Sequence, residues 1–197
     1  MKGRAAAVAA VLLLPSAKLA QAHAVIDGIG GFSGGLLHPL LIPAHGLALV
    51  ALGCLCGALN VRARLRVIAI FVAVAAVCIV LVTMAFSAVN AELIVLSLAG
   101  FAGLLLATGL RMPLAMLVVL AICVAGALTF DSVPALLSAQ DTILSLAGTI
   151  IAATFLFAAI TFLSGAGPQV WRRIGIRILG SWIAASAIMV LALRLPT

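Results

Sequence analysis

The sequence predicts an all-α, polytopic membrane protein with six transmembrane helices, of which the first is broken by prolines. Of its 197 residues 66% are hydrophobic and 8% charged, whereas soluble domains carry about 25% charged residues. The apolar runs are each about 19–30 residues long, enough for a helix to cross about 30 Å of hydrocarbon. The net charge of +7 does not indicate nucleic-acid binding, because the basic residues lie in short loops between these runs.

The first 22 residues predict a secretory signal peptide. Lys2 and Arg4 precede an apolar run over residues 5–14, and Ala20-Gln21-Ala22 has the small residues of a cleavage site. That run is too short to span a bilayer. We therefore expect residues 1–22 to be removed and residues 23–197 to form the transmembrane domain. His23 would then begin the mature chain, where its free amine and imidazole could chelate a transition metal or simply start a flexible tail.

Loop charges predict the orientation of the six spans. The predicted spans cover roughly residues 30–59, 66–88, 92–110, 112–130, 141–163 and 174–194. Arginines occupy the first, third and fifth loops, while Glu92, Asp131 and Asp141 occupy the second and fourth. Because cytoplasmic loops are enriched in basic residues, we expect the odd loops in the cytoplasm and both mature termini outside a bacterial inner membrane. Asp131 and Asp141 are interpreted as ordinary acids of outer loops.

The candidate functional residues lie in the broken first span. Two of the three histidines, His38 and His45, are seven positions apart between glycines and prolines, so on one helix both rings would share a face. Pro39 and Pro43 interrupt that helix, and at membrane depth such a break needs protein or water to satisfy its carbonyls. Imidazoles are common transition-metal ligands, and Glu92 or the His23 terminus could add others. The rings could equally cap the broken backbone, and the residues alone leave both readings open.

Catalysis is disfavoured by the residues that are missing. Gly31-Phe32-Ser33-Gly34 fits the Gly-x-Ser-Gly pattern of rhomboid-type intramembrane proteases, but such a serine needs a histidine base from another helix, and none follows His45. No nucleotide-binding motif is visible, so we expect no enzymatic activity. The four cysteines lie in apolar runs and are predicted to be small buried hydrophobes rather than metal ligands.

The residues around His38 resemble the first span of a known family. The stretch Gly31-Phe32-x-x-Gly35-Leu36-x-His38-Pro39-Leu40, followed by His45, is similar to that of the HupE/UreJ family, which comprises hydrogenase and urease accessory membrane proteins regarded as nickel or cobalt permeases. Residues 92–97 resemble the start of the family's third span, and residues 177–185 its last helix. The chain departs from the family pattern at four places. Ala44 replaces the aspartate and Ile42 the glycine of the first-span signature, residues 121–129 lack the histidines of the fourth span, and Thr161-Phe162 stands near a histidine expected in the fifth.

This resemblance implies a membrane protein that binds or transports a divalent transition metal, foremost nickel, from the outside inward for metalloenzyme maturation. His38 and His45 would be ligands, Glu92 a third ligand or a charge partner, and His23 a capture group. No organic cofactor is implied. The expected partners are the ion, the lipid bilayer, and either a second copy of the chain or urease or hydrogenase maturation proteins. The alternative function is a non-transporting membrane scaffold or accessory subunit in which the histidines are structural.

Overall fold

The computed structural model describes residues 31–84, 91–134, 137–166 and 169–194, except for the side chains of Gln169 and Trp171. Its described residues form seven α-helices and no strands, which confirms the all-α prediction. The helices are α1 (Gly31–Leu41), α2 (Pro43–Cys56), α3 (Val61–Thr83), α4 (Glu92–Thr108), α5 (Leu114–Asp131), α6 (Ala139–Gly165) and α7 (Gln169–Arg194). The predicted signal peptide and His23 lie outside the described residues.

The predicted break in the first span is present and lies at Ile42. The axes of α1 and α2 differ in direction by 69°, and Ile42 between them has an extended backbone with φ −95° and ψ 108°. Pro43 occupies the first position of α2, where a backbone N–H would have no partner within the helix, so proline removes no hydrogen bond. Pro39 lies inside α1, so only the second of the two prolines starts a new helix.

Helix length supports a multi-pass membrane protein. Four helices are long and apolar enough to cross a bilayer, namely α3, α5, α6 and residues 172–194 of α7. The bent pair of α1 and α2 qualifies as a fifth, broken crossing or a re-entrant loop. The remaining apolar helix, α4, has 17 residues, which corresponds to about 25 Å and is at the lower limit for a span. Each of the six predicted apolar segments is therefore mostly helical over the residues that the structure describes.

The half-helix α2 occupies the centre of the bundle. It packs against α4, α5, α6 and α7, and ten of its 14 residues are buried. The outer pairs α4–α7 and α1–α6 make the most extensive helix contacts. In lipid, close approach of helices depends on small residues: Gly103 and Gly180 face each other across α4 and α7, where a Cβ on either would lie 2.8 Å from the other's carbonyl oxygen. The broken first span thus lies where its side chains can meet several helices.

The first, third and fifth loops lie at one end of the bundle. Ala58, Gly109 and Ser164, which lie in or beside the first, third and fifth loops, line one common cavity. At the opposite end, Glu92 at the start of α4 contacts Arg194 at the end of α7. The arginines of the odd loops therefore gather at a single end, which is called the arginine-rich end below.

Close packing of α1 on α6 predicts the effect of one substitution. A Cβ added to Gly35 would collide with the backbone carbonyl of Ser145, and Thr149 Oγ1 donates a hydrogen bond to the Gly35 carbonyl at 3.1 Å. Gly35→Ala should therefore destabilise the protein by about 1–3 kcal/mol, measured as a lower thermal unfolding midpoint in detergent. The control is Gly175→Ala, where nothing lies within 4 Å and alanine is the better helix former. A Gly35→Ala midpoint equal to that of Gly175→Ala would contradict this packing.

Candidate functional site

A buried histidine–aspartate pair joins the broken span to α5. His45 lies in the first turn of α2, directly after the break, and Asp131 is the last residue of α5. His45 is 0% exposed and Asp131 4% exposed, and the His45 Nε2 atom lies 2.9 Å from Asp131 Oδ2. A buried carboxylate is costly unless a partner compensates its charge. The break therefore positions an imidazole where the bundle buries an acid.

Asp131 corrects one sequence interpretation. We interpreted Asp131 as an ordinary acid of an outer loop, but the structure places it inside the bundle, because α5 continues one residue past the predicted end at 130. The neighbouring Ser132 is also buried, and its hydroxyl donates to the Leu128 carbonyl at 2.6 Å. Asp141, by contrast, is exposed and accepts a hydrogen bond from Ser138 Oγ at 2.7 Å. The available sequence signal was an acid directly continuing an apolar helix, which at membrane depth indicates a functional residue.

The second histidine of the pattern lies against the first. The ring centroids of His38 and His45 are 5.2 Å apart, with their planes inclined at 58°. His38 belongs to α1 and is half-buried, whereas His45 belongs to α2. The two rings therefore meet as the spacing predicts, but across the bend at Ile42 rather than along one straight helix.

Two potential ligand atoms of the pair have no protein partner. Among the described residues, neither His45 Nδ1 nor Asp131 Oδ1 has a hydrogen-bond partner, and both atoms are buried. Nearly all buried polar atoms in proteins are paired with protein or water. Since Nε2 is the ring nitrogen that contacts Asp131, Nδ1 is the one left over, and it presents a lone pair in the tautomer that carries its hydrogen on Nε2. This arrangement of carboxylate, imidazole and open nitrogen is the usual surrounding of a metal-binding histidine.

The other two predicted ligands, Glu92 and His23, are not part of the histidine cluster, which is formed by His38, His45 and Asp131. Glu92 Oε1 accepts a hydrogen bond from Arg194 Nη2 at 3.0 Å, and His23 lies outside the described residues. In the part of the chain that the structure describes, no three His, Cys, Asp or Glu side chains are placed to hold one metal ion. Cys54, Cys56 and Cys78 are buried, as predicted for small hydrophobes, but the prediction is wrong for Cys123, which is exposed on the surface of α5. The structure thus brings together His38, His45 and Asp131 and places Glu92 beside an arginine.

The cluster lies within the bundle, away from the arginine-rich end. From His45 to the end of α2 at Cys56 the helix extends about 17 Å, and the loop after Cys56 belongs to that end. Asp131 likewise ends α5, which begins next to the third loop. The site therefore lies in the half of the bundle opposite the arginines.

The His45–Asp131 contact predicts non-additive effects on stability. His45→Ala leaves a buried carboxylate without its partner and should cost about 3–5 kcal/mol, whereas Asp131→Ala leaves a buried imidazole nitrogen without its partner and should cost about 1–3 kcal/mol. The double variant should cost about 1–3 kcal/mol less than the sum, as measured by unfolding of the three variants in detergent. Additive costs would show that the two side chains do not interact.

Comparison with known proteins identifies the family. The family model described as HupE / UreJ protein matches residues 10–190, a range that contains the histidine cluster and nearly every helix. No curated protein matches the chain, and no solved structure matches it. Since the matched range covers most of the sequence, the chain belongs to the HupE/UreJ family.

Proposed function

We propose that this protein binds a divalent transition metal ion, nickel foremost, at the His45–Asp131 pair and carries it across the membrane. The observation that supports this most directly is the pair of buried, unpartnered atoms, His45 Nδ1 and Asp131 Oδ1. Imidazole nitrogen suits nickel, cobalt, copper and zinc. Membership of the HupE/UreJ family, whose proteins are nickel or cobalt accessory membrane proteins, adds independent support.

Each residue of the cluster has a separate role in this proposal. His45 Nδ1 is the inner ligand, and Asp131 orients the His45 ring through the contact with Nε2. His38, beside His45 and half-buried, supplies the second imidazole. His23 acts as the capture group outside the membrane, and Glu92 acts as the charge partner of Arg194. Because the protein supplies so few ligands, water would fill the other coordination positions of the ion. Such weak coordination suits an ion that must be released after transport.

The proposed direction of transport follows from charge. We assign the arginine-rich end to the cytoplasm by the positive-inside rule, so both mature termini and the half of the bundle that contains His38 would face outside. Two positive charges moving inward gain about 4.6 kcal/mol per 100 mV of inside-negative potential. The membrane potential can therefore drive uptake without a nucleotide-hydrolysing site, and we propose no enzymatic activity.

The alternative is a membrane scaffold or accessory subunit that carries no ion. It is favoured by one observation: in the described residues, no set of three metal-binding side chains surrounds a single point. The His45–Asp131 bond would then serve only to hold α2 against α5. The two functions differ in whether the charge of Asp131, beyond its shape and hydrogen bond, is required.

Asp131→Asn separates the two functions. Asparagine keeps the shape and can accept the hydrogen bond from His45 but carries no charge, so the fold should persist while ion binding weakens. In proteoliposomes with an inside-negative potential, uptake of radioactive nickel should fall at least about tenfold, the equivalent of about 1.4 kcal/mol. Asp141→Asn is the matched control, because it removes the same charge from an exposed position, and its uptake should equal wild type. Wild-type uptake by Asp131→Asn would refute transport through this pair and favour the scaffold.

The proposed orientation has its own test. In a variant whose lipid-exposed Cys123 is replaced by serine, Asp141→Cys should react with a membrane-impermeant maleimide in intact cells, because Asp141 is exposed at the proposed outer end. Arg111→Cys, exposed at the arginine-rich end, should react only after the cells are permeabilised. The reverse pattern would show that the arginine-rich end faces outward.

A further inference from the structure

A cavity of about 370 Å³ opens at the arginine-rich end, between α2, α4, α6 and α7. Four arginines line it: Arg111, Arg172, Arg173 and Arg177. None of the described carboxylates lines this cavity, and none of these arginines forms an ion pair with a described residue. Four positive charges therefore line one cavity, and no carboxylate among the described residues neutralises them. This arrangement favours the binding of an anion.

Two of these arginines are held in place by the helix ends. Arg172 Nη1 donates to the Gly165 carbonyl at 2.9 Å, and Arg177 Nε donates to the Ala107 carbonyl at 3.1 Å. Such bonds satisfy the last carbonyls of α6 and α4. Each uses one of the five N–H donors of a guanidinium, so donors remain for a ligand. Phosphate oxygens match the planar, two-donor edge of a guanidinium particularly well.

The remaining wall is apolar. Leu105, Leu110 and Ile176 line the same cavity, and Leu110 is 67% exposed. The cavity also lies where the helices end, which is the level of the lipid headgroups for helices of this length. An inorganic anion would leave the apolar wall unused. A phospholipid would place its phosphate among the arginines and its glycerol and acyl chains against the leucines.

We propose that this cavity binds the phosphate group of an anionic phospholipid from the adjoining leaflet. Arg111 and Arg173 are the residues that recognise it, since both are exposed and Arg172 and Arg177 are engaged with backbone carbonyls. This lipid site is separate from the histidine cluster and does not depend on metal transport.

The test uses the purified full-length protein in a neutral detergent, without added metal. Thermal unfolding is measured against increasing dioctanoylphosphatidylglycerol, dioctanoylphosphatidylcholine and inorganic phosphate. The test variant is Arg111→Gln with Arg173→Gln. The matched control is Arg62→Gln with Arg66→Gln, which removes two exposed arginines from the same end that do not line the cavity.

Phosphatidylglycerol should raise the unfolding midpoint of the wild type and of the control at the same concentrations. The affinity of the Arg111→Gln, Arg173→Gln variant should be about thirtyfold lower, as expected from the loss of two arginine–lipid contacts. Phosphatidylcholine and inorganic phosphate should have much smaller effects on the wild type. The proposal is overturned if the test variant responds like the control, or if inorganic phosphate alone reproduces the response to phosphatidylglycerol.

Discussion

The hydrogen bond between His45 and Asp131 is the interaction on which the centre of this bundle depends. It joins residues 86 positions apart, and both side chains are withdrawn from solvent. A carboxylate at membrane depth is tolerated when a partner compensates for its lost hydration. The bend at Ile42 places His45 in the first turn of a new helix, directed at the end of α5. The bend and the central position of α2 therefore bring the imidazole of His45 to the buried carboxylate of Asp131.

Much of the fold could be predicted because its determinants are local. The apolar run at 92–110 corresponds to Glu92–Thr108, and the run at 141–163 corresponds to Ala139–Gly165, since a long apolar run bounded by polar residues is a local signal for a membrane helix. The break also has a local cause, because Pro43 cannot continue the preceding helix. The contact of His38 with His45 followed from their spacing. A signal made by neighbouring residues can be recognised in a single sequence.

The partners of the acids could not be predicted, because they are set by tertiary packing. Asp131 meets a residue of the first span, and Glu92 meets Arg194, 102 positions away. The sequence shows an acid that directly continues an apolar run, but it does not show which residue this acid contacts. Ala44, where the family signature carries an aspartate, is itself buried. In this chain the carboxylate that accompanies His45 therefore comes from α5 instead of the adjacent position.

The new start of a helix at Pro43 also has an electrostatic consequence. The peptide dipoles of α2 add to a partial positive charge of about half a unit at its first turn, and that turn contains His45, the partner of Asp131. This partial charge stabilises the carboxylate of Asp131 without a second basic side chain. If the pair binds a cation, as proposed, the same partial charge opposes that binding and favours release of the ion.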